Sequence, residues 1–253
     1  MRARPLLCAH RGGAALGPEN TLVACRRSLE LGVDAVEVDV RWTQDRVAVL
    51  LHDERVDRTT DGRGEVRALT WAQLRELDAG GWFDSAHRGE RVPSLAELVQ
   101  LLELHAGVLL FLEVKEQGEE GAALAEAALA LAEDVGLGHR LTVISFHPDP
   151  LLRVKAMRPE VPTVALQAAG SVTDPVRFVR DRGADGWGPH HAALTEETLR
   201  RVHQEGLFAF VWTVNEPGRA RELVALGLGS HPGDVLVTDA PHRVREALRG
   251  EEG

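Results

Sequence analysis

Three carboxylates stand in otherwise apolar stretches of this sequence: Glu37 and Asp39 in AVEVDV, and Glu113 in VLLFLEV. Alternation along an extended strand points Glu37 and Asp39 the same way. Like charges held close repel, and they are costly to desolvate unless protonated or joined by a cation. One hard divalent cation with oxygen ligands, Mg2+ or Ca2+, is the simplest resolution. Ion pairs with Arg11, Lys115 or other bases, without any metal, are the alternative.

His10 and His52 each close an apolar run and each precede a charged residue. Imidazole titrates near neutrality, so two of them can serve as acid and base across one phosphoryl transfer. A single strand-end histidine is more often structural; two beside a carboxylate cluster reverse that weighting. Asp53 can orient a histidine or begin the turn that follows.

Arg11 and Lys115 are the candidate phosphate clamps, since arginine makes bidentate contacts and lysine offers a compact charge. Salt bridges from Arg11 to Glu19 or Glu37, and from Lys115 to Glu113, are the structural alternatives. Asn20, in Pro18-Glu19-Asn20-Thr21, suits a helix N-cap, and both Asn20 and Glu19 can support the site from behind. Trp212 ends a late strand and offers either an apolar wall for a pocket or core packing.

These residues need a frame that brings them together. Short apolar runs alternate with amphipathic stretches, the pattern of α/β architecture with a largely parallel sheet. Strands are expected at Leu6–His10, Ala35–Val40, Val47–Leu51, Val108–Val114, Leu141–Ser145, Pro162–Leu166, Ala184–Gly188, Leu207–Trp212 and Val235–Thr238. Helical patterns lie between them, one opened by a Ser94/Glu97 capping box.

Only Arg41–Arg46 separates the second and third strands, too little for a parallel crossover, so they should form an antiparallel hairpin. A turn centred on Asp45 and Arg46 makes paired residue numbers sum to about 91 and sets Asp39 opposite His52. The remaining eight strands suit a distorted (β/α)8 TIM barrel, whose chemistry gathers at the C-terminal rim. Residues 53–93 break the alternation and read as a small inserted subdomain after the third strand, folding over one rim.

Length and composition bound the rest. The 253 residues suit a single barrel domain spanning 1–253, and 44% hydrophobic with 27% charged residues is ordinary for a globular chain. A formal charge of −10 argues against nucleic acid as a partner. It also means that an anionic small-molecule substrate must be captured by local positive charge. Cys8 and Cys25 read as buried free thiols. No signal peptide and no span of about 20 apolar residues is evident, so a cytoplasmic protein without stable membrane association is expected.

His10-Arg11-Gly12, Pro18-Glu19-Asn20-Thr21, Glu37-x-Asp39, His52-Asp53 and Arg58-Thr59-Thr60 follow one another in order. Gly62-x-Gly64, Glu113-x-Lys115, Ser145-Phe146, Trp212-Thr213-Val214-Asn215 and Thr238-Asp239-x-Pro241 continue the series. In order and spacing the whole set resembles the glycerophosphodiester phosphodiesterase family, of the cytosolic bacterial type. The resemblance implies His10 and His52 as the acid–base pair and Glu37, Asp39 and Glu113 as ligands of one divalent cation. It also implies Arg11 and Lys115 as phosphate contacts, and conversion of a glycerophosphodiester to glycerol 3-phosphate and an alcohol. A lysophospholipase D or phospholipase C-like activity on lipid diesters, and a non-catalytic barrel that binds a phosphorylated ligand, are the competing readings.

Overall fold

The computed structural model describes residues 4–170 and 174–248; residues 1–3, 171–173 and 249–253 of the expected 1–253 domain lie outside that description. Nine strands run in chain order: β1 (Leu6–Ala9), β2 (Ala35–Trp42), β3 (Ala48–Leu50), β4 (Leu109–Val114), β5 (Leu141–Ser145), β6 (Thr163–Gln167), β7 (Gly186–Pro189), β8 (Phe208–Val211) and β9 (Val235–Thr238). All except β3 pair in parallel, in the order β1-β9-β8-β7-β6-β5-β4-β2, and a β1–β2 pairing closes the ring. This is the (β/α)8 barrel, with β3 appended to the outside of β2.

Parallel neighbours require crossovers, and helices supply them: α1 (Leu22–Leu31), α3 (Leu95–Glu103), α4 (Gly118–Asp134), α5 (Pro148–Met157), α6 (Pro175–Arg180), α7 (Glu196–Gln204) and α8 (Pro217–Ala225); α9 (Pro241–Leu248) follows the last strand. The short α2 (Trp71–Leu74) lies between β3 and α3. Ser94 caps α3 through the reciprocal bonds with Glu97 that its sequence predicts. Val36, Val38 and Val40 pack outward from β2 against the helical layer, whereas Cys8, Phe111, Ile144, Leu166, Phe210 and Val237 plug the barrel interior. Both layers bury strand side chains, which is why the strands read as continuous apolar runs. Among the described residues no helix is long and apolar enough to cross a membrane.

The hairpin register differs by one residue from the expectation. Val40 pairs with Leu50, Arg41 with Val49 and Trp42 with Ala48, so the numbers sum to 90. The cause is the loop: the Thr43 N–H donates to Val47 O at 3.0 Å, the Arg46 N–H donates to Thr43 O at 3.2 Å, and Arg46 adopts φ 61. A turn followed by a left-handed residue makes a three-residue loop centred on Asp45. Asp39 therefore faces Leu51, whose N–H donates to Asp39 O at 3.1 Å, and His52 lies beyond the ladder.

Residues 53–93 hold two one-turn 3-10 helices, α2 and several turns. Val56, Val66, Leu74, Ala79 and Val92 form an apolar cluster seated on Val49 and Leu51. The face of β3 that does not meet the helical layer is thereby covered, and this segment comes to lie against the barrel rim.

Candidate active site

At the C-terminal end of β1 the chain leaves extended geometry at once, turning through His10–Gly12 with Arg11 at φ 51 and Gly12 at φ 77. Gly12 is required by space as well as by φ, since a Cβ there would stand 2.7 Å from Cys25 Sγ of α1. The turn aims the Arg11 N–H at Glu37 Oε2, 2.9 Å away. His10 donates from Nδ1 to Asp239 Oδ1 at 2.6 Å, which leaves Nε2 facing the barrel mouth, 3.9 Å from Glu37 Oε2.

Glu37, Asp39 and Glu113 meet there. Alternation places the first two on one face of β2, and the parallel register Asp39↔Glu113 brings the third beside them from β4. One oxygen from each lies within 4.8 Å of the others, and all three residues are buried. Lys115 Nζ bonds Glu113 Oε1 at 2.6 Å and lies 3.4 Å from Asp39 Oδ1. Arg11 Nε is 3.5 Å from Asp39 Oδ2, and Arg11 Nη1 bonds Glu19 Oε1 at 2.7 Å.

Crowding sets the electrostatics. Burial, reinforced by the charge of Asp39, pushes Glu37 up to about 8 and Glu113 up to about 7. Burial works against Asp39 as well, but Lys115 and Arg11 hold it well below the usual carboxylate range. For His10, burial is outweighed by the Asp239 hydrogen bond and the charge of Glu37, and its pKa rises. For His52, burial together with Lys115 and Arg11 outweighs the attraction of Asp39, and its pKa falls.

His52 reaches the cavity although it lies outside the strand ladder. Its carbonyl accepts from Arg41 Nε at 2.9 Å, and its Nδ1 pairs with Asp53 Oδ1 at 2.7 Å. Both imidazoles are thus held at Nδ1 by a carboxylate, which fixes the ring orientation and leaves Nε2 free for chemistry. They line one cavity of about 160 Å3 with Arg11, Glu37, Glu113 and Lys115. Its opposite wall is apolar: Ile144, Phe146, Leu166, Phe210, Trp212 and Val237. Trp212 is held there by its indole N–H, which donates to Gly188 O at 2.8 Å, and by an edge contact with Phe146 at 5.7 Å.

Asn20 departs from its expected role. Thr21, not Asn20, caps α1, its side chain accepting from Ala24 N–H. Asn20 takes φ 58 and is buried, donating Nδ2 to Asp39 Oδ2 at 2.7 Å while accepting the Asp39 N–H at 3.1 Å. Asparagine tolerates the left-handed region, so the sequence permits this excursion. Glu19 holds Arg11 rather than meeting the cavity, and Asp53 holds His52. Asp239, which the sequence reading names only within the Thr238-Asp239-x-Pro241 motif, is tied to Asn215 by a 2.6 Å bond and orients His10.

Glu37 Oε1 and Asp39 Oδ1 are buried oxygens that accept no hydrogen bond from any described residue. Such atoms in a three-carboxylate cluster fit a hard divalent cation.

A parallel barrel with acidic, imidazole and cationic groups gathered where β1, β2 and β4 end defines the class: a (β/α)8 barrel with its polar site at the C-terminal rim. The sequence profile of the glycerophosphoryl diester phosphodiesterase family matches residues 10–242. A glycerophosphodiester phosphodiesterase of Caldanaerobacter subterraneus subsp. tengcongensis is 30% identical over 255 residues, spanning 97% of this chain and 98% of the relative. Another, from Bacillus subtilis, is 30% identical over 241 residues, spanning 89% and 82%. A phosphodiesterase of Oleispira antarctica, solved in complex with the product sn-glycerol-3-phosphate, superposes with a TM-score of 0.83 at 26% identity, covering 98% of each chain. The chain therefore belongs to the glycerophosphoryl diester phosphodiesterase family of enzymes.

Proposed function

We propose that the protein hydrolyses water-soluble glycerophosphodiesters, such as glycerophosphocholine or glycerophosphoethanolamine, to sn-glycerol 3-phosphate and the free alcohol. One divalent cation, Mg2+ or Ca2+, would be held by Glu37, Asp39 and Glu113. The observation that carries this reading is the convergence of those three carboxylates within 4.8 Å, two of them with buried oxygens that accept no hydrogen bond from a described residue. The relative from Oleispira antarctica, solved with sn-glycerol-3-phosphate, supports the product.

Held by Glu37, Asp39 and Glu113, a divalent cation would supply Lewis-acid stabilisation of the charge that develops in the reaction. Arg11 and Lys115, which line the same cavity as Glu37 and Glu113, add fixed positive charge. His10 and His52 hold the moving protons at Nε2: one imidazole takes the proton of the attacking hydroxyl, and the other delivers a proton to the departing alkoxide. Asp239 and Asp53 keep the two rings in register for these transfers. Trp212 and Phe146 give the carbon skeleton of the substrate an apolar wall.

The test is release of glycerol 3-phosphate from several glycerophosphodiesters, first with chelator and then with each metal restored. Turnover that returns only with a divalent ion supports the reading. Full turnover in chelator removes the metal from the scheme, and turnover confined to micellar lysolipids assigns the protein to the lipid diesterases.

A further inference from the structure

Arg58 lies in the segment between β3 and α3, and it is not among the residues lining the central cavity. Its guanidinium nevertheless makes four charge-assisted hydrogen bonds. Nε and Nη2 donate to the two oxygens of Asp53 at 2.7 and 3.1 Å. Nη1 and Nη2 donate to the two oxygens of Glu19 at 2.8 Å each. One planar group is therefore bidentate to two carboxylates at once.

Each of those carboxylates stands directly behind a residue facing the cavity. Asp53 Oδ1 is 2.7 Å from His52 Nδ1, and Glu19 Oε1 is 2.7 Å from Arg11 Nη1. The chain of contacts runs His52–Asp53–Arg58–Glu19–Arg11 without a break. Among the described residues no other group makes an ion pair to both Glu19 and Asp53. A lysine could satisfy one carboxylate but could not present the flat fork that fixes both planes.

We propose that Arg58 is a positioning residue that sets the imidazole of His52 and the guanidinium of Arg11 relative to one another. It does so through Asp53 and Glu19, and so makes the segment after β3 part of the catalytic apparatus. This rests on the role given to His52 under the proposed function. Without Arg58, two carboxylates that share one cation become free to turn. The His52 ring loses the fixed partner at Nδ1 that aims Nε2, and Arg11 is drawn away from the phosphate by an unrestrained Glu19.

The test compares kcat and KM for glycerophosphocholine in R58A, R58K, D53N, the double variant R58A/D53N and H52A, with melting curves for each. R58A should lose about tenfold to a hundredfold in kcat, the range found when a partner behind a functional ligand is removed. R58K should recover KM, because the charge beside Glu19 returns, but little of kcat. The double variant should be no worse in kcat than D53N, since both changes break the same chain. Millimolar guanidinium should raise R58A turnover, and ammonium should not. R58A or R58K with kcat within twofold of wild type overturns the inference, as do independent, multiplicative losses in R58A/D53N. If R58A does not fold, R58K and the double variant R58K/D53N, compared with D53N, carry the decision. Near-normal turnover in H52A would instead sink the His52 assignment itself, whereas an inactive H52A beside a fully active R58A would sink the Arg58 role alone.

Discussion

Asp39 and Glu113 are register partners on adjacent parallel strands, β2 and β4, with Lys115 Nζ lying 3.4 Å from the first and 2.6 Å from the second. Parallel pairing makes such an arrangement possible: residues far apart in sequence sit side by side at equal height above the barrel. Glu37, two positions before Asp39, completes the group on the same face.

That grouping predicts metal-linked stability. A divalent ion that binds the folded chain alone stabilises it by about 2.7 kcal/mol at a hundredfold excess over Kd. Differential scanning calorimetry should show Tm rising with added Mg2+ or Ca2+. The rise should be lost in E113Q and D39N, which remove ligand charge. An equal rise in both variants would place the ion elsewhere.

Replacing either imidazole should separate chemistry from binding. H10A and H52A are expected to lower kcat by about 10²–10⁴, with metal affinity by isothermal titration unchanged. A variant of near-normal kcat would remove that histidine from proton transfer.

Asp53 and Glu19 also carry a pH signature. The Arg58 hydrogen bonds, with His52 for Asp53, hold Asp53 well below the usual carboxylate range. Burial opposes the shift of Glu19, but Arg58 and Arg11 bring it down. A depressed folded pKa contributes stability that is full above the unfolded pKa and is lost as pH falls through the folded one. Wild-type Tm should therefore drop as pH falls below about 4, and D53N should show a shallower drop. Parallel curves would mean that the Asp53–Arg58 contact adds nothing in solution.

The two thiols should be silent. Burial, aided by the charge of Glu37, pushes Cys25 up to about 12 and holds Cys8 well above the ordinary thiol range, and neither forms a disulfide. Native protein at pH 8 should not colour Ellman's reagent until denaturant is added, when both should react. Prompt native reaction of either would contradict its packing.

Much of this was legible in the sequence for local reasons. Strand alternation put Glu37 and Asp39 on one face, and a six-residue connection could only be a hairpin. What the sequence concealed depends on geometry that local pattern does not encode. Arg46 entering the left-handed region shifted the hairpin by one residue and set Asp39 opposite Leu51. His52 enters the cavity because the chain leaves the ladder after Leu50, not because of strand pairing. Asn20, which reads as a cap, leaves that role to Thr21 and holds Asp39. Asp239 gains meaning only from a partner 229 positions away, His10, since a strand-end Asp carries no local mark of that contact.

The most direct measurement is a crystal soaked in Mn2+ or Ca2+, with anomalous diffraction used to locate the ion. One peak is expected within ligand distance of carboxylate oxygens from Glu37, Asp39 and Glu113, with Lys115 displaced from Glu113. A peak away from this triad, or none at saturating metal with Lys115 still bound to Glu113, would contradict this placement of the ion.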